Sequence, residues 1–202
     1  SKKLIIVFEG VEGSGKTHHI NNVAKYLKKK EIQFIQIREP GGSKNSEKIR
    51  KLILDNKSTF NKDTDLLLYL SARSENMELI KKNFKKKIIL IDRFIDSTIA
   101  YQHYGMQANI KIIKMINNYL LKDININFTF LNIVNHKNMR ARLLNRKKLN
   151  RYDQFNWSFY KRVQEGFLKI LKKNPKNYMK IDSNLNIFDN EKIILNKIDK
   201  LI

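Results

Sequence analysis

The stretch that decides the fold class of this 202-residue chain reads Gly10-Val11-Glu12-Gly13-Ser14-Gly15-Lys16-Thr17. It fits the pattern G-x-x-x-x-G-K-[ST] and stands between an apolar run of strand length and a segment of helical period. Its glycines let successive backbone N–H groups and the helix N-terminus face an anion. In this pattern Lys16 reaches the β- and γ-phosphates, and the Thr17 hydroxyl ligates Mg²⁺. Residues 10–17, here called the P-loop, therefore predict a nucleoside triphosphate site.

On either side of the P-loop, apolar runs of strand length alternate with segments of helical period. This alternation is typical of α/β units built on a parallel sheet. The predicted strands lie near residues 4–9, 34–38, 88–92, 128–134 and 178–181. The predicted helices begin at Lys16 and near Ser46, Asp63, Ile110, Lys137, Trp157 and Asn190. No stretch rich in proline, glycine or serine marks a boundary, so we expect one domain over residues 1–202.

The composition is strongly basic, with 41 Lys and Arg against 19 Asp and Glu and a net charge of +22. Such a field attracts polyanions, but it does not choose among nucleotides, nucleic acid and membrane surfaces. Lysine runs such as Lys28-Lys29-Lys30, Lys85-Lys86-Lys87 and Lys147-Lys148 lie along predicted helices or beside them. We interpret most of the excess as compositional bias on solvated faces.

The chain has no cysteine, which excludes disulfides and thiolate metal sites and agrees with a reducing compartment. The apolar run at residues 4–8 is too short for a signal-peptide core or a membrane span. We therefore expect a cytoplasmic protein with no membrane partner. His18 and His19 directly follow the P-loop, but neighbouring helix residues point about 100° apart, so we expect surface histidines and no metal site.

A P-loop alone leaves GTPases, helicases, transport ATPases and small-molecule kinases open. A switch GTPase needs a guanine-reading N-K-x-D, whereas residues 61–64 read Asn61-Lys62-Asp63-Thr64 and lack the final Asp. After the second predicted strand comes Arg38-Glu39-Pro40-Gly41-Gly42, at the sheet edge where open α/β folds bind ligands. Tyr69 and Arg73 follow on one helix face, and a ring beside a fixed donor suits a nucleobase.

The third predicted strand ends in Asp92-Arg93-Phe94-Ile95-Asp96-Ser97-Thr98-Ile99-Ala100-Tyr101-Gln102. This segment resembles the D-R-[FY]-x-x-S-[ST]-x-A-Y-Q signature of thymidylate kinases. The R-E-P-G-G turn and the F-E-G-x-E-G-S-G-K-T form of the P-loop resemble the bacterial-type branch, and the resemblance spans about residues 4–175. It implies a P-loop NTPase three-layer fold, with a five-stranded parallel sheet flanked by helices and a mobile basic lid. It also implies transfer of phosphate from ATP to dTMP with Mg²⁺, yielding dTDP and ADP, by an enzyme that is a homodimer.

The resemblance also implies residue roles. The catalytic residues would be Lys16, Arg93, Arg146 and Glu12, and the metal would lie near Thr17 and Asp92. ATP would contact Gly10, Gly13, Ser14, Gly15, Lys16, Thr17 and Arg142, with adenine near Asp182-Ser183-Asn184. The monophosphate dTMP would contact Glu39, Pro40, Arg50, Tyr69, Arg73, Arg93, Thr98, Tyr101 and Gln102. In these roles Arg50 and Arg93 clamp the dTMP phosphate, Glu39 lies near the 3′-hydroxyl, and Tyr69 stacks on thymine.

Residues 140–154 differ in kind from the rest, because arginines crowd there with few large apolar side chains. We expect an exposed, mobile, cationic lid that carries Arg142, Arg146 and Arg151. Members of the resembling family place a catalytic arginine in the P-loop or in the lid. Since residues 11–14 contain no arginine, the lid must supply it, and Arg146 is the candidate.

Three alternatives stay open at this point. The first is a nucleoside monophosphate kinase with another substrate or with relaxed substrate specificity. The second is an ATPase that binds nucleic acid through its positive charge, and the third is an inactive homologue. Against the second alternative, the sequence shows no second motor domain and no platform of aromatic residues for base stacking, so we expect no specific nucleic acid partner. The third is opposed by the intact set of proposed catalytic positions.

Overall fold

A computed structural model describes residues 4–122, 124–146 and 149–202 of the chain. The strands are β1 (Ile5–Gly10), β2 (Phe34–Arg38), β3 (Ile88–Asp92), β4 (Phe128–Ile133) and β5 (Tyr178–Asp182). The longer helices are α1 (Lys16–Lys29), α2 (Lys44–Leu54), α3 (Lys62–Asn83), α5 (Ile110–Leu121), α6 (His136–Leu144), α7 (Trp157–Lys173) and α8 (Ile187–Leu201). A short α4 (Ile95–Thr98) continues as a π-helix (Ile99–Gly105), and 3₁₀ turns cover Arg151–Gln154 and Pro175–Asn177. None of the described helices is long and apolar enough to cross a membrane.

All five strands are parallel, in the order β2-β3-β1-β4-β5. Val7 of β1 pairs with Ile91 of β3 on one side and with Thr129 of β4 on the other. In the same register Arg38 at the end of β2 pairs with Asp92 at the end of β3. The carboxyl ends of β1, β2 and β3 therefore share one sheet edge, and the predicted α/β fold class is confirmed.

Helices cover both faces of the sheet because strand side chains alternate between the two faces. On one face, buried Ile6 and Phe8 of β1 belong to the same apolar cluster as Ile20 of α1 and Ile194 of α8. On the other, Ile5 and Val7 of β1 lie in a cluster with Met77 and Ile80 of α3. This gives the three-layer arrangement that the family resemblance implied.

Several helices begin directly after an asparagine or serine that caps them, one or more residues away from the start predicted from periodicity. Ser43 accepts from the Ser46 N–H at 3.3 Å, and α2 begins at Lys44 instead of near Ser46. Asn61 accepts from the Asp63 and Thr64 N–H groups, so the Asn61-Lys62-Asp63-Thr64 stretch is a helix cap. The prediction placed no helix at Ile95–Gly105, which follows β3 directly.

The lid differs from its prediction in part. Residues 140–144 belong to α6, and Lys147 and Lys148 lie outside the described residues. Tyr152 and Asp153 are buried, so the expectation of an exposed segment is wrong there. Tyr152 is buried because it packs in an apolar cluster with Tyr101 and Phe159. Asp153 closes a capping box, in which its carboxylate accepts from Asn150 N at 2.9 Å while the Asn150 side chain accepts from Tyr152 N.

Candidate active site

The P-loop wraps from the end of β1 into the start of α1. Gly10 has a φ of 140°, and a Cβ there would lie 2.3 Å from the Asn132 carbonyl oxygen of β4. Only glycine fits this turn. Lys16 is buried and donates from Nζ to the Val11 carbonyl at 3.0 Å. Burial, and then the nearby Arg93, lower the pKa of Lys16 to about 8, which still leaves the ammonium group mostly protonated at neutral pH. A phosphate arriving beside it would raise this pKa again.

Thr17 and Asp92 meet at the shared edge of β1 and β3. The Thr17 hydroxyl donates to Asp92 Oδ2 at 2.8 Å. Mg²⁺ in phosphate-transferring sites takes one or two protein oxygens and completes its shell with phosphates and water. A hydroxyl and one carboxylate fit that donor set. Within the described residues no cluster of three or more His, Asp or Glu side chains could hold a metal by itself.

Arg93 is held between the P-loop and α4. Its backbone has a φ of 65°, and its guanidinium donates to the Gly10 carbonyl at 2.8 Å and to Glu12 Oε1 at 2.7 Å. Tyr101 donates to the other Glu12 oxygen. Burial alone would raise the pKa of Glu12, but Arg93 and then Lys16 lower it on balance. The site therefore pairs a fixed cation with an ionised carboxylate next to the phosphate cradle.

Arg50 approaches the same region from α2. It donates from Nη1 to the Pro40 carbonyl at 2.5 Å, in the turn after β2. The peptide bond between Glu39 and Pro40 is cis. Burial and then the charge of Arg38 lower the pKa of Arg50, because the cations repel one another. An anion between these groups would relieve that repulsion.

A buried network around Arg73 forms the back of the cavity. The guanidinium donates to Glu39 Oε2 at 2.8 Å, to Asn117 Oδ1 at 2.8 Å and to Thr98 Oγ1 at 2.9 Å. Only 1% of the Arg73 side chain is exposed. Burial raises the pKa of Glu39, and Arg73 offsets part of that rise. Because all three guanidinium nitrogens bind protein oxygens, Arg73 is a fixed part of the wall.

Tyr69 and Gln102 line the cavity beside this network. The Tyr69 ring lies edge-on to Tyr152, with 5.8 Å between ring centroids and planes at 84°. Burial, followed by the charge of Asp65, raises the pKa of Tyr69, so its hydroxyl stays neutral. Gln102 donates from Nε2 to Asp65 Oδ2 at 3.2 Å and to the Tyr152 hydroxyl at 3.1 Å.

The three lid arginines go to three different places. Arg142 donates to the Gly13 carbonyl at 2.8 Å and to the Ser183 carbonyl at 2.6 Å, which ties the P-loop to the loop after β5. Arg146 pairs with Asp153 at 2.6 Å. Arg151 pairs with Asp65 on α3 and donates from Nε to the Ile53 carbonyl at 3.1 Å.

One cavity collects most of the predicted residues. Its lining includes Glu12, Lys16, Thr17, Glu39, Pro40, Arg50, Tyr69, Arg73, Asp92, Arg93, Thr98, Tyr101, Gln102 and Arg146. The predicted residues Ser14, Gly15 and Arg142 line a separate hollow, together with Ser183. Neither lining includes Gly10, Gly13 or Arg151.

Sequence reasoning missed several residues of the site and misplaced one histidine. Asp65 and Asn117 hold site residues, and Tyr152 lines the cavity. Asp65 stands four residues before Tyr69 on α3, which is the one signal that could have pointed to it. The expectation of two surface histidines is wrong for His19, which is buried with its pKa lowered to about 4 by burial and by His18.

Comparison with known proteins agrees with this arrangement. The sequence model of a family described as thymidylate kinase matches residues 8–194. The chain belongs to the thymidylate kinase family. The predicted family resemblance and the predicted enzyme class are thereby confirmed.

Relatives of the thymidylate kinase family match over nearly the whole chain. The chain is 32% identical to a thymidylate kinase of Thermoanaerobacter sp. (strain X514) over 207 residues, covering 100% of both chains. It is 36% identical to one of Staphylococcus epidermidis (strain ATCC 35984) over 182 residues, covering 89% of each. The crystal structure of thymidylate kinase from Ehrlichia chaffeensis superposes with a TM-score of 0.78 at 30% identity, covering 97% of this chain and 98% of that one.

Proposed function

We propose that this chain transfers the γ-phosphate of ATP to dTMP in the cavity described above, forming dTDP and ADP. The observation that carries the proposal is that one cavity is lined both by the P-loop groups Lys16 and Thr17 and by the nucleobase-sized wall at Tyr69 and Gln102. Arg93 lines the same cavity and donates to Glu12 of the P-loop, so it would contact an acceptor phosphate that meets the donor phosphate there.

On the donor side, the P-loop N–H groups and Lys16 would hold the β- and γ-phosphates of ATP. Thr17 and Asp92 would hold Mg²⁺, which when bound neutralises charge on the transferred phosphate. Arg142 would contact ATP from beside Gly13, the P-loop residue whose carbonyl it already binds.

On the acceptor side, Arg50 and Arg93 would clamp the phosphate of dTMP and aim its oxygen at the γ-phosphate. Glu12 keeps the Arg93 guanidinium in place through a 2.7 Å contact, and Arg93 in turn keeps Glu12 ionised. Phosphoryl transfer requires alignment and charge stabilisation more than covalent chemistry, so these fixed cations supply what the reaction needs.

The base would lie against the Tyr69 ring, with Thr98 and Gln102 facing its edge. The lid would supply Arg146, which already lines the cavity beside Asn150 and Tyr152. In our proposal Arg146 bridges the donor and acceptor phosphates, and lid closure excludes water that would otherwise accept the phosphate.

A coupled ADP-release assay with ATP and Mg²⁺ tests this function. The acceptors are dTMP, dUMP, dCMP, dGMP and AMP, with a reaction lacking any acceptor and a reaction containing single-stranded DNA as comparisons. We expect turnover that requires an acceptor and is fastest with dTMP, and that is lost in the P-loop variant Lys16→Met. Turnover indifferent to monophosphates but stimulated by DNA would overturn the proposal.

A further inference from the structure

Asp65 is a buried carboxylate near the first turn of α3, and only 1% of its surface is exposed. Three groups from distant parts of the chain converge on it. Arg151 and Tyr152 of the lid both donate to it, and Gln102 of the π-helix donates from Nε2 at 3.2 Å. The mechanism proposed above gives Asp65 no task.

These contacts settle which end of the Gln102 amide faces which way. A carboxylate in an ion pair only accepts hydrogen bonds, so the group of Gln102 that faces Asp65 must be its NH₂. The hydroxyl proton of Tyr152 is committed to Asp65, so Tyr152 also accepts from Gln102 Nε2, at 3.1 Å. Both neighbours therefore demand the same amide orientation.

The carbonyl oxygen of the Gln102 amide, Oε1, takes part in neither of these hydrogen bonds. Among the residues that the structure describes, none donates to Gln102 Oε1, although the atom is buried and Gln102 lines the cavity. Buried acceptors rarely lack a donor in folded proteins. The unpartnered oxygen therefore indicates a donor that arrives with a ligand.

Thr98, four residues before Gln102 in the chain, presents a hydrogen-bond donor. Its Oγ1 accepts from Arg73 Nη2 at 2.9 Å, which leaves the hydroxyl proton to be donated elsewhere. A donor at Thr98 and an acceptor at Gln102 match a base edge with a carbonyl oxygen next to an N–H. Thymine and uracil carry that edge, whereas cytosine has an unprotonated ring nitrogen beside an amino group.

We propose that Asp65 is a positioning residue that fixes the Gln102 amide, so that Oε1 accepts the N3–H of the base and the site selects bases protonated at that position. This inference rests on the proposed function, because it names how the same site discriminates among pyrimidine monophosphates. Arg151 and Tyr152 hold Asp65 in place from the lid side.

The test compares binding of 5-fluoro-dUMP with binding of dUMP across a pH series. Fluorine makes the N3–H ionise at lower pH, so 5-fluoro-dUMP loses the proton in a range where dUMP keeps it. The ratio of the two Kd values cancels any titration of the protein. For the wild-type protein we expect the Kd of 5-fluoro-dUMP divided by the Kd of dUMP to rise roughly tenfold per pH unit. The rise should begin above the pH at which 5-fluoro-dUMP loses its N3 proton, because only the neutral base binds.

In Asp65→Asn the obligate acceptor is gone, because the new amide can donate to Gln102 Oε1 and let Gln102 present its NH₂ to the ionised base. In this variant we expect the ratio of the two Kd values to change much less with pH. Arg151→Lys is the matched control, since it weakens the Asp65 ion pair without contacting Gln102, and it should keep the steep rise. Asp65→Ser repeats the test should Asp65→Asn fail to fold.

A ratio as steep in the Asp65 variants as in the wild type would overturn the inference, and so would a flat ratio in the wild type or equal flattening in Arg151→Lys. The wild-type ADP-release assay with dTMP runs alongside. Absence of dTMP phosphorylation would remove the proposed function itself, whereas normal phosphorylation with an unchanged ratio would remove only the role of Asp65.

Discussion

Two parts of the lid are held in different ways: the part at Arg146, here called the exposed end, and the part at Arg151, here called the anchored end. At the first, Arg146 lines the cavity, and 38% of its side chain is exposed while it pairs with Asp153. At the second, only 14% of the Arg151 side chain is exposed. The partner carboxylates Asp153 and Asp65 are both buried, so the contrast lies in the two guanidinium groups. The same residue type therefore serves as a solvent-facing cation at one end and as an anchor at the other.

The difference follows from what each ion pair is worth. The Arg146 guanidinium is partly exposed, so water screens part of its attraction to Asp153. Asp153 also accepts from Asn150 N at 2.9 Å and from Asn150 Nδ2 at 2.6 Å, and it keeps these donors when Arg146 turns to a phosphate. Breaking a buried pair by removing one partner costs about 3 to 5 kcal/mol, because a charge is left without compensation. The anchored end thus ties the lid to α3, while the exposed end carries the arginine to which our proposal assigns the bridging role.

The largest expected effect concerns the exposed end. Arg146→Ala should lower kcat on the order of 10³-fold, because a bridging arginine stabilises charge mainly in the transition state. The Kd of dTMP should change little. The free energy of unfolding should fall by less than in Arg151→Ala, because the buried Asp153 carboxylate keeps its two hydrogen bonds from Asn150 and Arg146 is the more exposed arginine. Steady-state kinetics, dTMP titration and denaturant unfolding of the same preparation measure the three quantities.

Arg146→Lys separates charge from geometry, since lysine keeps the charge but loses the planar fork. We expect it to recover only part of the lost turnover. Unchanged turnover in Arg146→Ala would move the catalytic role elsewhere in the lid, with Arg151 the first residue to examine, and the contrast between the two ends would collapse.

The next effect concerns the anchored end. Arg151→Ala should lower the free energy of unfolding by about 3 kcal/mol, because the buried Asp65 carboxylate loses its ion-pair partner. Urea denaturation measures the change. Arg140→Ala, an exposed arginine of α6, is the matched control and should stay within about 0.5 kcal/mol of wild type. Equal values for the two variants would show that Arg151 anchors nothing.

The smallest effect concerns the wall that the anchored end supports. Tyr69 packs edge-on against Tyr152, the residue after Arg151. Tyr69→Ala should raise the Kd of dTMP by roughly 10- to 100-fold, as loss of base stacking does elsewhere, and leave the Kd of ATP nearly unchanged. Tyr69→Phe keeps the ring and should bind dTMP almost normally. Equal losses for both nucleotides in Tyr69→Ala would make Tyr69 a packing residue only.

Sequence patterns predicted the sheet closely. The predicted strands at residues 34–38 and 88–92 agree with β2 and β3 residue for residue. β3 is a buried run of mainly β-branched apolar residues, whereas β2 carries Gln36 and Arg38 among its apolar residues and is only partly buried. The predicted helix starts at Ile110 and Trp157 agree with α5 and α7, whereas α2 begins at Lys44, after its Ser43 cap, two residues before the predicted start near Ser46. The family roles of the cavity residues remain predictions, although the structure places most of those side chains around one space.

The contacts of Asp65 could not be predicted from the sequence. From the sequence Asp65 is an acidic residue near a helix N-terminus, where such a residue ordinarily serves the helix dipole. Its contacts to Gln102 and Tyr152 join residues 37 and 87 positions apart. The buried Arg73 network likewise joins α3 to Asn117, 44 positions away.

The sequence by itself determined the parallel α/β architecture, the P-loop and its phosphate chemistry, since each depends on residues close together in the chain. Only the tertiary structure decided which arginine of the lid is anchored, which carboxylate is buried, and which way the Gln102 amide points. Those outcomes depend on burial and on hydrogen-bond partners contributed by other elements, and a linear pattern of residue types specifies neither.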